Sequence, residues 1–386
     1  MGASSRTSGG LYNSVRQLGQ HLLKIPDTEV QVFAYLDANS YQDNFAYQSL
    51  PLKVYRIRGP KNFGYSPDLY QHLEEFRPDI IHTQCIWMYL SYASYRYSRR
   101  HKCPIIISPR GMLDAWALQN AAFKKKIVLQ LFERKNLNSA TCIHALCQSE
   151  AEAIRAFGLK NPIVVIPNGV NGSNTDKKKM PPNWYKQLGE NNNPKVLLFL
   201  SRIHPKKGLD NLLEAWHEIQ NKSSEEKKWI LAIAGWGEES YLKKLKAYIL
   251  EHNMEQSVFF IGSQLGLEKA ATFHWADAFI LPSFSEGLPM AVLEAWSYSL
   301  PVLLTPACNL PTGFSKNAAV QIESTSEGIY QGLKHFFSLS PEATIQMGKN
   351  GKLLVQEHFL WPHITEKLRR VYKKVLQESF SRNQSI

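Results

Sequence analysis

Two glutamates flank a predicted helix start in the segment PSFSEGLPMAVLE, which spans residues 282–294. Glu286 precedes the turn, and Glu294 lies a turn and a half into the helix, roughly 8 Å along its axis. Carboxylates accept hydrogen bonds from hydroxyl groups, each contributing about 1.5–3 kcal/mol. The segment therefore suits a ligand with hydroxyls at both ends. A purely structural role for the two glutamates is as common as a binding role, because a glutamate near the start of a helix interacts favourably with the helix dipole.

The turn between the glutamates, Gly287-Leu288-Pro289, predicts an anion site. Pro289 suits the first helical position, where its missing N–H costs no hydrogen bond. The amides near Gly287 and Leu288 would then lie at the positive end of the helix, where phosphates bind. A nucleotide sugar presents sugar hydroxyls, a diphosphate and ribose hydroxyls in this order, so it matches the whole segment.

Two cations follow another predicted strand, in the segment SRIHPKKGLDNLLEAW (201–216). Arg202 and Lys207 lie beyond the strand end, and Gly208 precedes an amphipathic helix. Such cations suit a diphosphate, and neutralising a departing diphosphate is electrophilic catalysis. The alternative is a solvated basic loop.

A third segment, AGWGE (234–238), follows a further predicted strand. Gly235 and Gly237 permit close approach of the backbone to a ligand, although a lone G-x-G is weak evidence. Ile261 ends the next predicted strand, where it would either flank a nucleotide base or pack in the core.

All these residues follow apolar runs that alternate with amphipathic stretches. Such alternation predicts parallel sheets covered on both faces by helices. Ligands of open parallel sheets bind beyond the C-terminal strand ends, where the candidate residues lie. The predicted strands are 30–36, 79–84, 104–109, 141–146 and 163–167, then 196–201, 229–235, 258–262, 278–283 and 301–305; the clearest helices are 12–24 and 124–137.

The alternation of apolar runs and amphipathic stretches is interrupted once, and this interruption predicts two α/β domains. The polar segment 171–194, rich in Pro and Asn, predicts a linker between domains 1–170 and 195–362. The tail 363–386 contains a predicted helix, 364–377, which we expect to pack on the first domain.

The composition is that of a globular protein, with 44% hydrophobic and 20% charged residues. No apolar run reaches the roughly 18 residues that span a bilayer. Five scattered cysteines indicate reduced thiols in a cytoplasmic protein. The net charge is +12, with most of the excess before Val170. A basic first half suits an anionic partner, such as the inner face of a membrane, a phosphorylated lipid or a nucleic acid.

Together the motifs resemble those of the retaining glycosyltransferase family 4. Its signature is R-x4-K-G, a G-x-G-E loop and F-x-E-G-x-P-x4-E, matched here by 202–208, 235–238 and 284–294. The resemblance is strong over 195–310 and looser before it. It implies the GT-B fold, in which two Rossmann-like, doubly wound domains face each other across a cleft.

The resemblance also implies roles for the second-half residues. Arg202 and Lys207 would hold the donor diphosphate. Glu286 would orient the transferred sugar, and Glu294 would bind the ribose. The backbone of 287–289 would support the sugar and the phosphates.

The first half fits this family with exceptions. The segment Ser8-Gly9-Gly10, which precedes a predicted helix, resembles the Gly-rich loop of the family, and Gly10 is the candidate donor-binding residue in it. The segment IPNGV (166–170) resembles the end of the family's first domain. Where the family commonly has a histidine, the segment SPRGML carries Arg110, as in a subgroup often associated with polysaccharide assembly. A permanent planar cation predicts charge stabilisation rather than general-base catalysis. His82 and Asp114 are candidates for the acceptor side, although a structural role is the more common one for a histidine such as His82.

A Gly-rich loop of this kind normally follows a central strand. Only eight residues precede Gly9, and none form an apolar run. We therefore expect the first domain to lack its first strand and the native chain to start upstream.

The expected reaction is transfer of a hexose from a nucleoside diphosphate sugar to a saccharide or lipid-linked acceptor, in polysaccharide or lipopolysaccharide synthesis. Retention of the anomeric configuration follows from the resemblance alone. The sequence has no D-x-D motif, so we expect no essential metal, and no cofactor. Alternatives are a sugar-nucleotide epimerase, an inverting transferase, or a nucleic-acid-binding protein that uses the aromatic and basic segment 91–102. The sequence identifies neither the base, the sugar nor the acceptor.

Overall fold

A computed structural model describes residues 1–119, 121–173, 181–188, 194–222 and 228–384. The chain divides into two units. The first comprises Met1–Gly169 and Trp361–Ile386, and the second comprises Val170–Leu360. Much of the expected linker, 174–180 and 189–193, lies outside the described residues.

Six short strands form the parallel sheets of the first unit. They are Val32–Tyr35 (β1), Leu52–Tyr55 (β2), Ile81–Thr83 (β3), Ile105–Ile107 (β4), Cys142–Ala145 (β5) and Ile163–Val165 (β6). β1 pairs with β2, while β3, β4, β5 and β6 form a four-stranded sheet in that order. All three isoleucines of β4 are fully buried, as expected for a parallel strand covered on both faces.

Residues 2–4 extend along the edge of β1 that β2 leaves open. Tyr35 N donates to Gly2 O at 2.9 Å, and Ser4 N donates to Tyr35 O at 2.9 Å. The result is one parallel bridge, between Ala3 and Tyr35. Residues 2–4 thus occupy part of the position expected for the missing strand; an upstream start of the native chain stays a prediction.

The helices of the first unit connect these strands. They are Gly10–Leu22 (α1), Ser40–Asp43 (α2), Pro67–Phe76 (α3), Tyr89–His101 (α4), Ala115–Gln119 (α5), Ala122–Val128 (α6), Arg134–Ser139 (α7) and Gln148–Ala156 (α8). The helical segment predicted at 124–137 is confirmed, and it contains a π-helical turn, Leu129–Glu133, between α6 and α7.

The second unit contains one six-stranded parallel sheet. Its strands are Lys195–Leu200 (β7), Trp229–Ala234 (β8), Val258–Gly262 (β9), Ala278–Leu281 (β10), Val302–Leu304 (β11) and Ala319–Gln321 (β12). Their order is β12-β11-β10-β7-β8-β9. This is the doubly wound order 3-2-1-4-5-6, whose switch point lies between the first and fourth strands, here β7 and β10.

Helices alternate with these strands as predicted. They are Leu209–Lys222 (α9), Glu239–Glu251 (α10), Gly266–Trp275 (α11), Met290–Ser297 (α12), Pro311–Ser315 (α13), Ser326–Ser338 (α14) and Pro341–Leu354 (α15). Trp216 of α9 and Trp296 of α12 are fully buried in the core of this unit. Within the expected linker, Trp184 belongs to the same core and donates to Thr272 Oγ1 at 3.0 Å.

The last helix, Trp361–Gln384 (α16), belongs to the first unit. It is longer than the predicted 364–377. Trp361, Ile364 and Leu368 are buried against Leu18 and Leu22 of α1. Among the described residues, no helix is both long enough and apolar enough to cross a bilayer.

Candidate functional site

Three candidate residues of the second unit lie at the switch point of its sheet. The loop after β7 carries Arg202 and Lys207, and the loop after β10 carries Glu286. Connections leave these neighbouring strands in opposite directions, which opens a crevice where ligands bind. The two loops are joined by a hydrogen bond from Phe284 N to Lys206 O at 2.9 Å.

Lys207 and Glu286 form an ion pair across this switch point. The Nζ atom donates to Oε1, and the two side chains are only 12% and 11% exposed. Ser283 Oγ donates to the same oxygen at 2.7 Å. An ammonium group carries three donors, so Lys207 can hold Glu286 and still donate to a phosphate oxygen. The pair therefore fixes a carboxylate and a cation side by side.

The backbone of Glu286 is held by the loop after β11. Its N–H donates to Ala307 O at 2.9 Å, and Asn309 Nδ2 donates to the carbonyl of Glu286. The same amide lies 3.4 Å from the carbonyl of Gly287. Sequence reasoning missed Asn309; its one signal is an Asn shortly after a predicted strand.

The predicted position of Pro289 was wrong by one residue. Helix α12 begins at Met290, and Pro289 precedes it with a ψ of 97°. Proline fixes φ but leaves ψ free, so its φ of −77° is compatible with a position just outside the helix. The first helical amides are therefore those of Met290 and Ala291, not those near Gly287 and Leu288.

Glu294 also has a lysine partner. Lys269 of α11 lies 2.6 Å from each of its carboxylate oxygens, and the side chains are 22% and 29% exposed. Glu294 is thus a paired and only partly exposed carboxylate. Sequence reasoning missed Lys269, because a lysine in an amphipathic helix carries no signal of its own.

The two glycines after β8 lie against the loop that carries Arg202. A Cβ at Gly235 would lie 1.9 Å from Ser201 O, and one at Gly237 would lie 2.2 Å from Ile203 O. Gly235 also has a φ of 145°, which side chains disfavour. The group that approaches these glycines closely is therefore the backbone of the loop after β7, whereas we expected a ligand. The glycines thus help to position that loop.

Arg202 itself is exposed at the start of this loop, two residues after β7 ends. The pKa of His204 is lowered first by burial and then by the nearby charges of Arg202 and Lys207. The loop is thus electropositive. Ile261 is buried, and its carbonyl accepts from Gln264 Nε2 at 2.6 Å. Of the two roles expected for Ile261, flanking a base or packing in the core, its burial matches the second.

In the first unit, Arg110 lies just beyond β4 with a φ of 57°, a conformation that bulky residues rarely adopt. Its Nε donates to Gln84 Oε1 at 3.0 Å, and Nη1 donates to Asn168 Oδ1 at 2.7 Å. Both acceptors are neutral. Burial lowers the pKa of Arg110 to about 10, so the side chain stays charged at neutral pH. Arg110 is half-buried, and a cation held by neutral amides keeps its attraction for an anion.

His82 is bonded through both ring nitrogens. Nδ1 lies 2.8 Å from Tyr372 Oη of α16, and Nε2 lies 2.8 Å from Ser108 Oγ. Ser108 Oγ in turn lies 2.9 Å from His144 Nδ1. Burial lowers the pKa of His82 well below its usual value. These contacts match the structural alternative for His82.

The remaining candidates of the first unit lie at chain turns. Asp114 N donates to Gly111 O at 3.3 Å, and Asp114 O accepts from Leu118 N at 2.9 Å. Gly10 is exposed and begins α1, after Gly9 with a φ of 58°. The N-terminus of α1 thus faces solvent.

Two family models match the chain. The Glycosyl transferase 4-like domain matches residues 9–169, and Glycosyl transferases group 1 matches residues 181–354. These matches confirm the resemblance stated above, although the subgroup with the SPRGML motif stays a prediction.

Curated relatives of the chain are glycosyltransferases. Alpha-monoglucosyldiacylglycerol synthase of Streptococcus pneumoniae is 26% identical over 306 residues, which cover 76% of this chain and 67% of the synthase. The O-antigen biosynthesis glycosyltransferase WbnH of Escherichia coli is 32% identical over 158 residues, which cover 40% of this chain and 38% of that enzyme. For several other relatives the match covers less than half of their length.

Among solved structures, Anabaena Alr3699/HepE in complex with UDP and glucose aligns with a TM-score of 0.75 and 17% identity. The alignment covers 97% of this chain and 98% of that chain. The likeness shows a shared fold and confirms the prediction of two Rossmann-like α/β domains.

Proposed function

The chain belongs to the GT-B glycosyltransferases that combine these two family domains, and on this premise we propose that it is a retaining hexosyltransferase. The donor is a nucleoside diphosphate sugar, and the acceptor is a saccharide or a lipid-linked saccharide. The observation that carries the proposal is the pair Lys207–Glu286 at the switch point of the second unit, because it sets a sugar-binding carboxylate beside a phosphate-binding cation.

The proposed chemistry is electrostatic. As the bond between the sugar and the diphosphate breaks, Arg202 and Lys207 stabilise the negative charge on the departing diphosphate. Glu286 accepts hydrogen bonds from hydroxyls of the transferred sugar. The acceptor oxygen forms a bond with the anomeric carbon on the face that the diphosphate leaves, and the leaving phosphate oxygen takes the proton of the acceptor hydroxyl. Because the new bond forms on the same face as the broken one, the anomeric configuration is retained. With two side-chain cations in this role, the proposal needs no bound metal.

Names of the relatives support an acceptor that belongs to a membrane lipid or a polysaccharide. One is named for diacylglycerol glucosylation and another for O-antigen biosynthesis. The net charge of +12 also favours an anionic surface. We therefore propose that the protein works in the cytoplasm, in peripheral contact with the inner face of the membrane.

The structure does not favour the alternative of a nucleic-acid-binding protein that uses the segment 91–102. In α4, Tyr97 is buried, Arg96 lies over the ring of Tyr70 at 4.6 Å, and His101 lies 2.8 Å from Glu74. The aromatic side chains of 91–102 thus do not alternate with cations on one exposed face, as base stacking would require.

A panel of UDP-, GDP- and ADP-sugars tests the proposal. One nucleotide should raise the melting temperature of the protein, and its sugar should be transferred to an acceptor with the same anomeric configuration, read by NMR. Inversion would overturn retention, and conversion to an epimeric nucleotide sugar would favour the epimerase. No thermal shift and no transfer across the panel would overturn the proposed function.

Lys269→Met should weaken binding of the nucleoside diphosphate about tenfold, which corresponds to about 1.4 kcal/mol. Glu294 would lose the cation that fixes its carboxylate and would carry an uncompensated charge near the diphosphate. Titration calorimetry with the nucleotide identified above measures the effect.

Lys243→Met is the matched control for this change. It breaks the exposed pair of Lys243 with Glu239, at 2.8 Å on α10, and should leave affinity unchanged. An unchanged affinity in Lys269→Met as well would assign Lys269 a purely structural role.

A further inference from the structure

Helix α6 and the π-helical turn that follows it hold apolar side chains in solvent. Phe123, Ile127 and Leu131 are 76%, 43% and 68% exposed. They recur every four residues, which places them along one side of the helix. No residue of α6 is buried. An exposed apolar stripe of this kind marks an interaction surface.

Cations surround this apolar stripe. Lys124, Lys126, Arg134 and Lys135 are exposed. In the part of the chain that the structure describes, no recorded ion pair involves any of them. Their charge is therefore not neutralised by the protein.

The end of the segment fixes the stripe to the first unit. Phe132 is buried, and its ring lies 5.5 Å from that of Tyr92. Glu133, also buried, accepts from Trp87 N at 2.9 Å and from Asn136 Nδ2 at 2.7 Å. The carboxylate of this segment is thus turned inward, and what it leaves outside is apolar and basic.

We propose that Phe123, Ile127 and Leu131 insert into the boundary between headgroups and acyl chains of an anionic bilayer, with Lys124 and Lys126 on the headgroup phosphates. The inference rests on the proposed membrane-side function and names the surface that makes the contact. Charge complementarity selects this occupant, because an apolar stripe flanked by uncompensated lysines is the pattern of a helix lying in the membrane interface. Aliphatic side chains such as Ile127 and Leu131 offer nothing to a nucleic acid, whose recognition uses cations and stacked aromatics.

Flotation with vesicles of phosphatidylglycerol and phosphatidylcholine tests the surface, with pure phosphatidylcholine as the neutral comparison. Wild-type protein should float with anionic vesicles and be released in part by high salt. F123S/I127S/L131S should lower the bound fraction at least tenfold, because the insertion is lost. K124E/K126E should abolish the preference for anionic vesicles.

The matched control is I345S/L353S, which removes two exposed apolar side chains, 57% and 52% exposed, from α15 of the second unit. It should float like wild type. All the variants carry changes at exposed positions, so each should keep the wild-type melting temperature and nucleotide affinity.

The outcomes separate the surface from the function. If wild-type protein does not bind anionic vesicles, both the proposed membrane surface and the proposed membrane location are wrong. The nucleotide-sugar panel then still tests the proposed enzyme activity independently. Wild-type binding that survives in F123S/I127S/L131S overturns the surface alone. Self-association or RNA binding that this variant abolishes, without vesicle binding, would show another occupant and also overturn the proposal.

Discussion

Lys207→Ala should lower the rate of glycosyl transfer roughly 10²–10³-fold, the loss typical of removing one donor that stabilises charge in a transition state. Two effects add. The diphosphate loses a cation as it departs, and Glu286 loses the partner that fixes its carboxylate. Initial rates at saturating donor and acceptor measure the change.

Stability should fall in the same variant, because Glu286 is 11% exposed and would become a nearly buried carboxylate without its cation. The double variant Lys207→Ala/Glu286→Gln removes that charge and should recover most of the melting temperature but none of the activity. Lys244→Ala is the matched control, since it breaks the exposed pair with Asp210. If the double variant regained activity, the role of Lys207 would be to neutralise Glu286 and nothing more.

Most of the described strands could be predicted from the sequence, including the edge strands β3, β6 and β9. All ten predicted strands occur, generally shortened at their ends, because strands covered on both faces are continuous apolar runs. The two missed strands, β2 and β12, lie at sheet edges. Two residues of β2, Lys53 and Val54, are exposed, so the segment lacks the apolar run that identifies a buried strand.

The residue types of the site could be predicted, but their partners could not. Glu286 and Lys207 were found through their positions after strands, and strand order then brought the two loops together. Lys269 and Asn309 were missed because each acts through a contact between separate elements. Such contacts depend on how helices pack on the sheet, which local patterns do not specify.

The glycine motif was interpreted correctly in part. Gly235 and Gly237 do permit a close backbone approach, but the backbone that approaches is the loop of Arg202. A G-x-G motif indicates only that a Cβ atom would have no space at the two glycine positions. It does not state whether a ligand or another loop occupies the space, so its role in positioning Arg202 required the structure.

Arg110→Lys should lower turnover roughly 10²-fold while changing the affinity for the nucleoside diphosphate less than threefold. Lysine keeps the charge but cannot donate from a planar fork to Gln84 and Asn168 together. The ammonium would therefore lose its fixed direction. Single-turnover rates and titration calorimetry, measured on the same preparation, separate the two quantities.

Arg110→His then distinguishes a cation from a base at this position. Burial already lowers the pKa of the guanidinium at this position to about 10, so an imidazole in the same place should be neutral near pH 7 and should not stabilise charge. A role as a cation predicts an inactive variant near pH 7, with activity recovering as the pH falls and the imidazole gains its proton.

A general base would give the opposite pH profile, because a neutral imidazole accepts a proton and activity would then rise with pH. Arg58→Lys is the matched control; its guanidinium is 67% exposed and lies 3.8 Å from Asp68, so its turnover should equal that of wild type. Turnover equal to wild type in Arg110→Lys would show that charge alone suffices. Wild-type turnover in Arg110→His near pH 7 would remove the cation from the mechanism, and the left-handed φ of 57° at Arg110 would then serve the turn after β4 and not the chemistry.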